Sequence, residues 1–279
     1  MLSPSRVGRE GILRLGFERR GARTVLTERR FRLPLQALEP VDLDGSGAAT
    51  LALLNPTGGI LGGDALDTEV VLGTGAHACL VTPAATRVYR SAGPPAVQRF
   101  RAVLGAGACL EYVPDHVIPS PGARLKQTID ITLAPDATLL VVDAWAVGRM
   151  ARGETWSFDL LDAAIAVSDT RGLLLKERAL LDRTPRDGLG GTEAFPYVAT
   201  FAALAPKWDR WAELAGDFSA LDLEAASGVR LGATMLGRGG VLVRILCPSA
   251  PALMTAVGAL WKESRRRLLG LPPLPVRKL

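Results

Sequence analysis

The segment LKQTIDITL at residues 125–133 alternates apolar and polar side chains along its whole length. One set of alternate positions consists of Leu125, Gln127, Ile129, Ile131 and Leu133, and the other of Lys126, Thr128, Asp130 and Thr132. A period of two places the two sets on opposite faces of a β-sheet. The segment therefore predicts a strand with one buried face.

Short turn sequences separate similar apolar runs elsewhere in the chain. They lie at residues 73–75, 105–107, 135–137 and 169–172. An apolar run, a tight turn and a second apolar run are typical of a β-hairpin. The sequence therefore predicts four hairpins.

The turns recur after 32, 30 and 35 residues, and VLGTGA at 71–76 is echoed by VLGAGA at 103–108. A repeat of this length indicates stacked units, because one strand pair cannot bury its apolar face alone. We expect a mainly β protein of stacked antiparallel sheets in an elongated or superhelical array, with a β-sandwich as the rival arrangement. No long linker interrupts residues 1–279, which indicates a single domain.

Helical patterns are few. Residues 206–218 carry apolar side chains at helical spacing, and so do residues 250–269. In the second segment Ser249 can cap the first turn, Pro251 suits it, and Gly270 can end the helix. The sequence predicts two helices, one near each segment.

The chain has 279 residues, of which 48% are hydrophobic and 22% charged, as in a globular protein. Its formal net charge is +5, yet aromatic residues make up only 5%. A nucleic-acid surface combines basic residues with stacking aromatics. We therefore expect no nucleic-acid binding. Two interpretations of the charge stay open: it forms solvated faces that keep the protein soluble, or it forms a basic surface that docks an acidic protein partner.

Three cysteines, Cys79, Cys109 and Cys247, are odd in number and far apart, so no disulfide framework is indicated. Each lies in an apolar run, which favours a small buried side chain in a reducing compartment. Residues 1–10 contain no apolar signal core, and no run of about 18 apolar residues is free of charge. The sequence predicts a cytoplasmic protein with no membrane association.

The segment NPTGGILGGD at residues 55–64 resembles a phosphate loop. No Lys-Ser or Lys-Thr follows its last glycine, so the charge partner of a bound phosphate is missing. Two interpretations stay open. The segment is either a turn between strands, or a contact surface or tunnel mouth at which Asp64 faces polar groups.

Asp143 interrupts the apolar run 139–147. An uncompensated polar group inside a protein costs roughly 2–7 kcal/mol, so this carboxylate needs a partner or water. Either it forms a buried ion pair with a base such as Arg149 or Arg152, or it lines a water-filled passage. The charged, glycine-containing segment 148–154 indicates a strand end with a polar network.

Asp115 and His116 are adjacent and could form an acid–base pair or bind a metal. A tight metal site needs three or four clustered ligands, and His77 is the only other histidine. A small-molecule hydrolase that uses Asp115 and His116 is the alternative enzymatic hypothesis. No serine nucleophile elbow, HExxH or CxxC motif supports it.

Five segments in order resemble the UreD (UreH) family of urease accessory proteins. They are residues 55–64, AATRVYR at 84–90, LEYVPD at 110–115, residues 148–154 and WKESR at 261–265. The combination and its order carry the resemblance, because no single motif is specific. The resemblance covers most of the chain.

The resemblance implies a mainly β scaffold that is not an enzyme. In that family the scaffold binds the accessory protein UreF, which recruits the GTPase UreG, and the assembly docks on urease apoprotein to load nickel into its active site. Nucleotide hydrolysis then belongs to the partner, in agreement with the missing phosphate-loop lysine. The resemblance implies no tightly bound cofactor, only transient Ni²⁺.

Isolated oxygen donors hold a divalent ion weakly, whereas a cluster of His or Cys side chains retains it. The resemblance gives five carboxylates as candidates for a transient nickel passage: Asp64, Glu111, Asp115, Asp143 and Glu154. It gives seven further residues as structural or partner-contact positions: Gly58, Gly59, Gly63, Arg87, Tyr89, Arg149 and Arg152.

Overall fold

A computed structural model describes residues 9–186, 188, 191–223 and 227–274, which form two β-sheets packed face to face. Sheet I contains β1 (Glu10–Arg20), β2 (Arg23–Arg32), β5 (Ala65–Leu72), β8 (Ala96–Leu104), β11 (Arg124–Leu133), β15 (Leu160–Asp169) and β16 (Gly172–Leu181). Sheet II contains β3 (Gln36–Ala37), β4 (Ala49–Leu54), β6 (His77–Val81), β9 (Cys109–Val113), β12 (Thr138–Ala146), β17 (Tyr197–Leu204), β18 (Arg230–Met235) and β19 (Gly240–Cys247). Short strands β7 (Thr86–Val88) and β10 (Val117–Pro119) extend sheet II, and β13 (Gly148–Arg149) pairs with β14 (Glu154–Thr155).

The chain winds from one sheet to the other, so β5 leads to β6, β8 to β9 and β11 to β12. Successive strands of one sheet pair in parallel, and Thr68, Phe100, Ile129 and Ile165 lie side by side in sheet I. These partners are 32, 29 and 36 residues apart, close to the spacing of the recurring turns. The prediction of a mainly β stack of repeated units is confirmed, in the form of a β-solenoid-like structure.

Three of the four predicted hairpins are wrong. Residues 73–76, 105–108 and 134–137 each join a strand of sheet I to a strand of sheet II. Their backbone groups bond to the neighbouring turn, as when the amide of Gly75 donates to the carbonyl of Ala106 over 2.8 Å. Of the four predicted hairpins, the one between β15 and β16 is confirmed.

The predicted antiparallel pairing is correct at both edges of sheet I and among β12, β17, β18 and β19 of sheet II, and wrong among the other central strands. Pairs β1–β2, β15–β16, β12–β17 and β17–β19 are antiparallel, whereas β4, β6, β9 and β12 run parallel, as do β1, β5, β8, β11 and β15. The physical reason lies in the connections. Each turn carries the chain across the core, about 10 Å, from sheet I to sheet II, and each long connection carries it back. The next strand of a sheet therefore begins at the same end as the strand before it, and the two run in parallel.

Apolar side chains fill the space between the sheets in two clusters. The first inter-sheet cluster includes Leu133, Val141 and Leu204, and the second includes Leu125 and Trp145. The predicted alternation of residues 125–133 is confirmed, because its apolar set and Gln127 are buried. A third cluster lies on the other face of sheet II, beneath the helices.

Helix α1 spans Trp211–Ser219 and helix α2 spans Ala250–Ser264, continuing as a π-helical turn at Arg265–Leu269. The predicted helix at 250–269 is confirmed: the Ser249 hydroxyl accepts the amide of Ala252 over 3.2 Å, and Gly270 ends the helix at φ 64°. The first helix begins later than predicted, because the amide of Trp208 closes a turn onto Ala205.

The three cysteines are buried and free, as the sequence predicts. Within the residues that the structure describes, no helix has both the length and the apolar character needed to cross a membrane.

The two edges of the solenoid differ in the length of their connections. At one edge, four-residue turns carry the chain from sheet I to sheet II. At the other edge, residues 55–64, 82–95, 114–123 and 147–159 return it from sheet II to sheet I. We call these four connections the return loops and the edge that they form the return-loop edge. They contain most of the residues that the sequence singles out.

Candidate functional site

The return loops are tied to one another by backbone hydrogen bonds. The amide of Ile60 donates to the carbonyl of Arg87, and the amide of Tyr89 donates back to Ile60, both over 2.8 Å. The amide of Ser120 donates to Val88 and that of Gly122 to Ser157, again over 2.8 Å. The loops therefore form one continuous layer at this edge.

Gly59 and Gly148 are two positions of this layer at which glycine is required. A side chain at Gly59, which has φ 154°, would place its Cβ 2.7 Å from the Arg87 carbonyl oxygen and from the Tyr89 ring. A side chain at Gly148 would meet the Glu154 carbonyl oxygen at 1.9 Å. The glycines thus permit close packing of loop on loop. The segment 55–64 is a turn between strands β4 and β5, and it also borders a cavity.

Asp64 closes the glycine segment. Its Oδ2 accepts the amide of Leu61 over 2.8 Å, and its side chain is buried. Burial raises the pKa of Asp64, against the opposing hydrogen bond from Leu61 and the charge of Arg9. This carboxylate therefore has a structural contact within its own turn.

A cavity of about 320 Å³ opens between the glycine segment and the inter-sheet space. We call it the mouth cavity. Its lining includes Gly58, Gly59, Arg87, Thr68, Gln98 and Tyr112. Gln98 Oε1 is buried and has no hydrogen-bond partner among the described residues. The mouth cavity therefore connects the return-loop edge with polar atoms of the interior.

A line of polar side chains separates the two inter-sheet clusters. On each of the strands concerned, the inward-facing residue before the polar one belongs to or packs against one inter-sheet cluster, and the inward-facing residue after it belongs to or packs against the other. Asp143, for example, lies between Val141 of the first cluster and Trp145 of the second. We call this line the polar belt. It consists of Thr68, Gln98, Gln127 and Glu177 from sheet I and of Asp143, Thr200 and Arg244 from sheet II.

Asp143 is at the centre of the polar belt. Nε2 of Gln127 donates to its Oδ1 over 2.7 Å, so the partner is an amide across the sheets and not Arg149 or Arg152. Burial, and secondly the negative charge of Glu177, raise the pKa of Asp143 to about 6, while Gln127 and the charge of Arg244 oppose the increase. This carboxylate has no ion pair among the described residues.

Glu177 connects the belt to the far edge of the sheets. Its Oε1 accepts the Thr200 hydroxyl over 2.6 Å and lies 2.9 Å from Nη2 of Arg244. The Arg244 side chain is half exposed. Polar groups therefore extend from the mouth cavity, through Asp143, to the surface beside β19.

Glu111 faces away from the polar belt. Its neighbours Leu110 and Tyr112 belong to the first inter-sheet cluster, so alternation directs Glu111 to the other face of sheet II. There it accepts hydrogen bonds from Nη1 of Arg265, from the Trp261 indole and, over 2.7 Å, from Nε2 of His77.

Arg265 completes this group, which we call the buried ion network: Asp44, His77, Glu111, Trp261 and Arg265. Its guanidinium also donates to Asp44 and, over 2.8 Å, to the carbonyl of Pro272. Arg265 and Glu111 are both 0% exposed. Burial alone would raise the pKa of Glu111, but His77, Arg265 and Trp261 outweigh it and hold that pKa below its usual value.

Asp115 and His116 form the contact that the sequence suggested. Asp115 Oδ1 lies 2.8 Å from Nδ1 of His116 and accepts the His116 amide over 2.9 Å. Both side chains border a largely apolar cavity of about 220 Å³ beneath α2. His116 is buried and packs edge-on against Tyr197, with ring centroids 5.4 Å apart.

Glu154 forms a surface ion pair with Arg149 across the short β13–β14 pair, at 2.5 and 2.8 Å. Both side chains are about one-third exposed. Around them lies a cavity of about 430 Å³, which we call the arginine pocket. Its polar lining comprises Arg87, Tyr89, Ser120, Arg149, Arg152 and Tyr197.

The structure brings together some of the predicted residues and separates others. Arg87, Tyr89, Arg149 and Arg152 line one pocket, and Gly58 and Gly59 line the adjoining mouth cavity with Arg87. Gly63 lies beside Pro94 at φ 83°. The five carboxylates do not share one space: only Asp143 belongs to the polar belt.

Sequence reasoning did not single out Gln98, Gln127, Glu177 or Arg265. A signal existed for Gln127, because it is the polar member of the apolar set at residues 125–133. Gln98 and Glu177 also stand at inward positions of alternating strands. Arg265 ends the segment 261–265 that resembles the family, but its position does not distinguish it from the next two arginines. Among the described residues, no group of three or more His, Cys, Asp or Glu side chains converges as a metal site.

Comparison with known proteins identifies the family. The model of the UreD urease accessory protein family matches residues 9–278. A urease accessory protein UreD from Alkalilimnicola ehrlichii is 36% identical over 280 residues, covering 99% of this chain and 92% of that protein. Proteins of the same name from Cupriavidus necator and Actinomyces naeslundii are 33% and 32% identical, covering 96% of this chain and 93% and 98% of their own lengths. These names describe accessory proteins, in agreement with the predicted non-catalytic role, and the chain belongs to the UreD family of urease accessory proteins.

Proposed function

We propose that this chain is a metallochaperone and docking scaffold that passes Ni²⁺ towards the active site of urease apoprotein. It acts in a complex with UreF and, through UreF, with the GTPase UreG. Family membership supports a role in urease maturation. The free cysteines support a cytoplasmic location. Membership in a family of accessory proteins also removes the basis for the hydrolase alternative.

The observation that carries the proposal is the polar belt between the sheets. A solenoid that served only as a scaffold would fill this space with apolar side chains, because buried polar groups cost free energy unless they are well paired. Here seven strands each place a polar residue between the two apolar clusters, and the amide oxygen of Gln98 has no described partner. The belt is the route that we propose for the ion.

Asp143 has the electrostatic character that a transit site needs. With a pKa of about 6 it is mostly ionised at neutral pH, yet it lacks an ion-pair partner among the described residues. A divalent cation would supply the missing positive charge. One carboxylate with amide and hydroxyl neighbours binds such an ion weakly, which allows release.

The two ends of the polar belt differ in charge. At one end the mouth cavity lies within the return-loop edge. At the other end Arg244 forms an ion pair with Glu177 at 2.9 Å. A passing cation must displace Arg244 from Glu177, so Arg244 acts as the electrostatic barrier of the route.

The test replaces Asp143 by Ala and measures urease activation in cells that co-express the structural and accessory genes. Nickel content and urease activity should decrease, while the amounts of UreF, UreG and urease apoprotein that copurify stay at the wild-type level. Asp130→Ala serves as the matched control, because Asp130 lies on the outward face of the neighbouring sheet. Wild-type nickel content in the Asp143→Ala complex would reject the route through the belt.

A further inference from the structure

The arginine pocket has more positive charge than its acidic neighbours balance. No carboxylate is among its described lining residues, and both oxygens of the nearby Glu154 accept hydrogen bonds from Arg149. Arg87 and Arg152 line the same pocket, and neither guanidinium group forms a hydrogen bond or ion pair within the described part of the chain, although the charge of Arg152 helps to lower the pKa of Glu154. Two guanidinium groups are therefore available in a concave space of about 430 Å³.

Ser120 provides an independent sign that this pocket accommodates a ligand. Its residue is 5% exposed, and its Oγ is buried without a hydrogen-bond partner in the described part of the chain. Its backbone amide is already bonded to Val88, so the hydroxyl alone is unsatisfied. A buried polar atom without a partner is uncommon in native proteins and calls for a bound group.

The other polar groups of the pocket are also donors. Burial raises the pKa of Tyr197, so its hydroxyl stays protonated. Tyr89 uses its hydroxyl to contact the carbonyl of Gly58 over 3.3 Å. The pocket thus offers guanidinium and hydroxyl donors, whereas its described lining contains no acidic side chain. A metal ion would be repelled by such a lining, and a planar or tetrahedral oxyanion would match it.

We propose that the arginine pocket binds an oxyanion, held by the guanidinium groups of Arg87 and Arg152 and by the hydroxyl of Ser120. The oxyanion is either a free small anion or the carboxylate of an acidic side chain on a docked protein. Glu154 holds Arg149 in place as one wall of the site. This assignment does not depend on the route of the ion through the belt.

The first experiment titrates the full-length chain with sodium phosphate, sodium bicarbonate and sodium acetate at constant ionic strength, with calorimetry or amide NMR as the readout. The variants are Arg87→Gln, Arg152→Gln and Ser120→Ala. Each arginine variant should weaken binding by about tenfold or more, because a hydrogen bond to a charged group is lost. Arg30→Gln is the matched control, since Arg30 is an exposed arginine on β2 and does not line the arginine pocket.

Ser120→Ala separates a binding role from a structural one. The hydroxyl makes no hydrogen bond in the described structure, so its removal should leave the unfolding temperature unchanged or slightly higher. The affinity for the anion should nevertheless decrease. Unchanged affinity in this variant together with unchanged affinity in both arginine variants counts against the proposal.

The second experiment distinguishes the source of the oxyanion. It measures the affinity of the same variants for purified UreF and for urease apoprotein. Weaker binding to one of these proteins in Arg87→Gln and Arg152→Gln, but not in Arg30→Gln, supports a carboxylate on that partner. Saturable binding of a small anion that the arginine variants lose supports a free ligand.

The proposal is overturned if the wild-type chain binds none of the three anions and the arginine variants keep wild-type affinity for both proteins. A wild-type chain that binds neither protein contradicts the proposed scaffold function instead. The anion titration then tests the arginine pocket by itself, and a wild-type chain that binds no anion rejects the site.

Discussion

Glu111 and Asp143 are carboxylates on neighbouring strands of the same sheet, but their surroundings shift their pKa values in opposite directions. Glu111 lies in the buried ion network, where Arg265, His77 and Trp261 donate to its oxygens. Asp143 lies in the polar belt, where the side-chain amide of Gln127 donates to it. The pKa of Glu111 lies below its usual value, and that of Asp143 is raised to about 6.

The difference separates a structural charge from a functional one. Arg265 connects the end of α2 with β9 and with the loop that carries Asp44, so the buried ion network holds distant segments together. The polar belt holds charge that its surroundings do not balance, which lowers stability. Proteins tolerate such a loss of stability mainly at functional sites.

The largest expected effect comes from Arg265→Met. The change leaves Glu111 and Asp44 buried without their cation, and breaking a buried pair in this way costs about 3–5 kcal/mol. Urea denaturation should show this decrease in the free energy of unfolding. Arg266→Met is the matched control, because Arg266 is exposed and pairs with Glu263 at the surface. The control should lose about 1 kcal/mol or less.

The double variant Arg265→Met, Glu111→Leu sharpens the result. If the cost arises from an unpaired buried charge, removal of both partners should recover a substantial part of the lost stability. If the double variant is as unstable as Arg265→Met alone, the network does not act through charge, and the contrast with Asp143 fails.

The second effect concerns pH. The folded-state pKa of Asp143 is about 6, above its value of 3.8 in a model peptide. The folded state therefore binds a proton more tightly than the unfolded state, so stability decreases as pH rises through the interval between those values. At one unit per 1.36 kcal/mol, the decrease from this residue is up to about 3 kcal/mol and is complete above the folded pKa.

Asp143→Asn should remove this decrease, so the variant should be more stable than the wild type at pH 7 and similar to it at pH 4. Denaturation curves across this range measure the difference. Asp130→Asn on the outward face of sheet I should change stability by about 0.5 kcal/mol or less. A wild-type protein whose stability at pH 7 equals that of Asp143→Asn would contradict the raised pKa.

The smallest effect is on the titration of Asp143 itself. Glu177 raises the pKa of Asp143 by its negative charge, as the second contribution after burial. Glu177→Gln should therefore lower the Asp143 pKa and leave it above the ordinary value, because burial remains. Carboxyl NMR across the titration measures the change. An Asp143 pKa that does not move would place Glu177 outside the electrostatics of the belt.

Much of the local structure could be predicted from the sequence. The alternation at residues 125–133, the repeat spacing and the Ser249 and Gly270 signals for α2 all correspond to the structure. The four turns were located correctly, but three were assigned the wrong geometry. A hairpin and a crossing between sheets use the same glycine-rich turn sequences, so the sequence could not distinguish them.

The site could be predicted only in part. The glycine segment, Arg87, Tyr89, Arg149 and Arg152 proved to be neighbours, although nothing in their sequence positions indicates one pocket. The carboxylate set was drawn from motifs, and motifs do not specify the direction of a side chain. Glu111 and Tyr112 are adjacent in sequence and face opposite sides of sheet II.

The sequence by itself determined that this chain forms repeated strands with one apolar face and a capped helix near its end, because these features depend on residue periodicity and local hydrogen bonds. It also determined the family, through motifs in a fixed order. Only the tertiary structure decided that the strands run parallel, that Gln127 meets Asp143 and that Arg265 meets Glu111. Each of these pairings joins residues that are far apart in the sequence and lie on different strands or on a strand and a helix. Their alignment depends on the lengths of all the turns and loops between them.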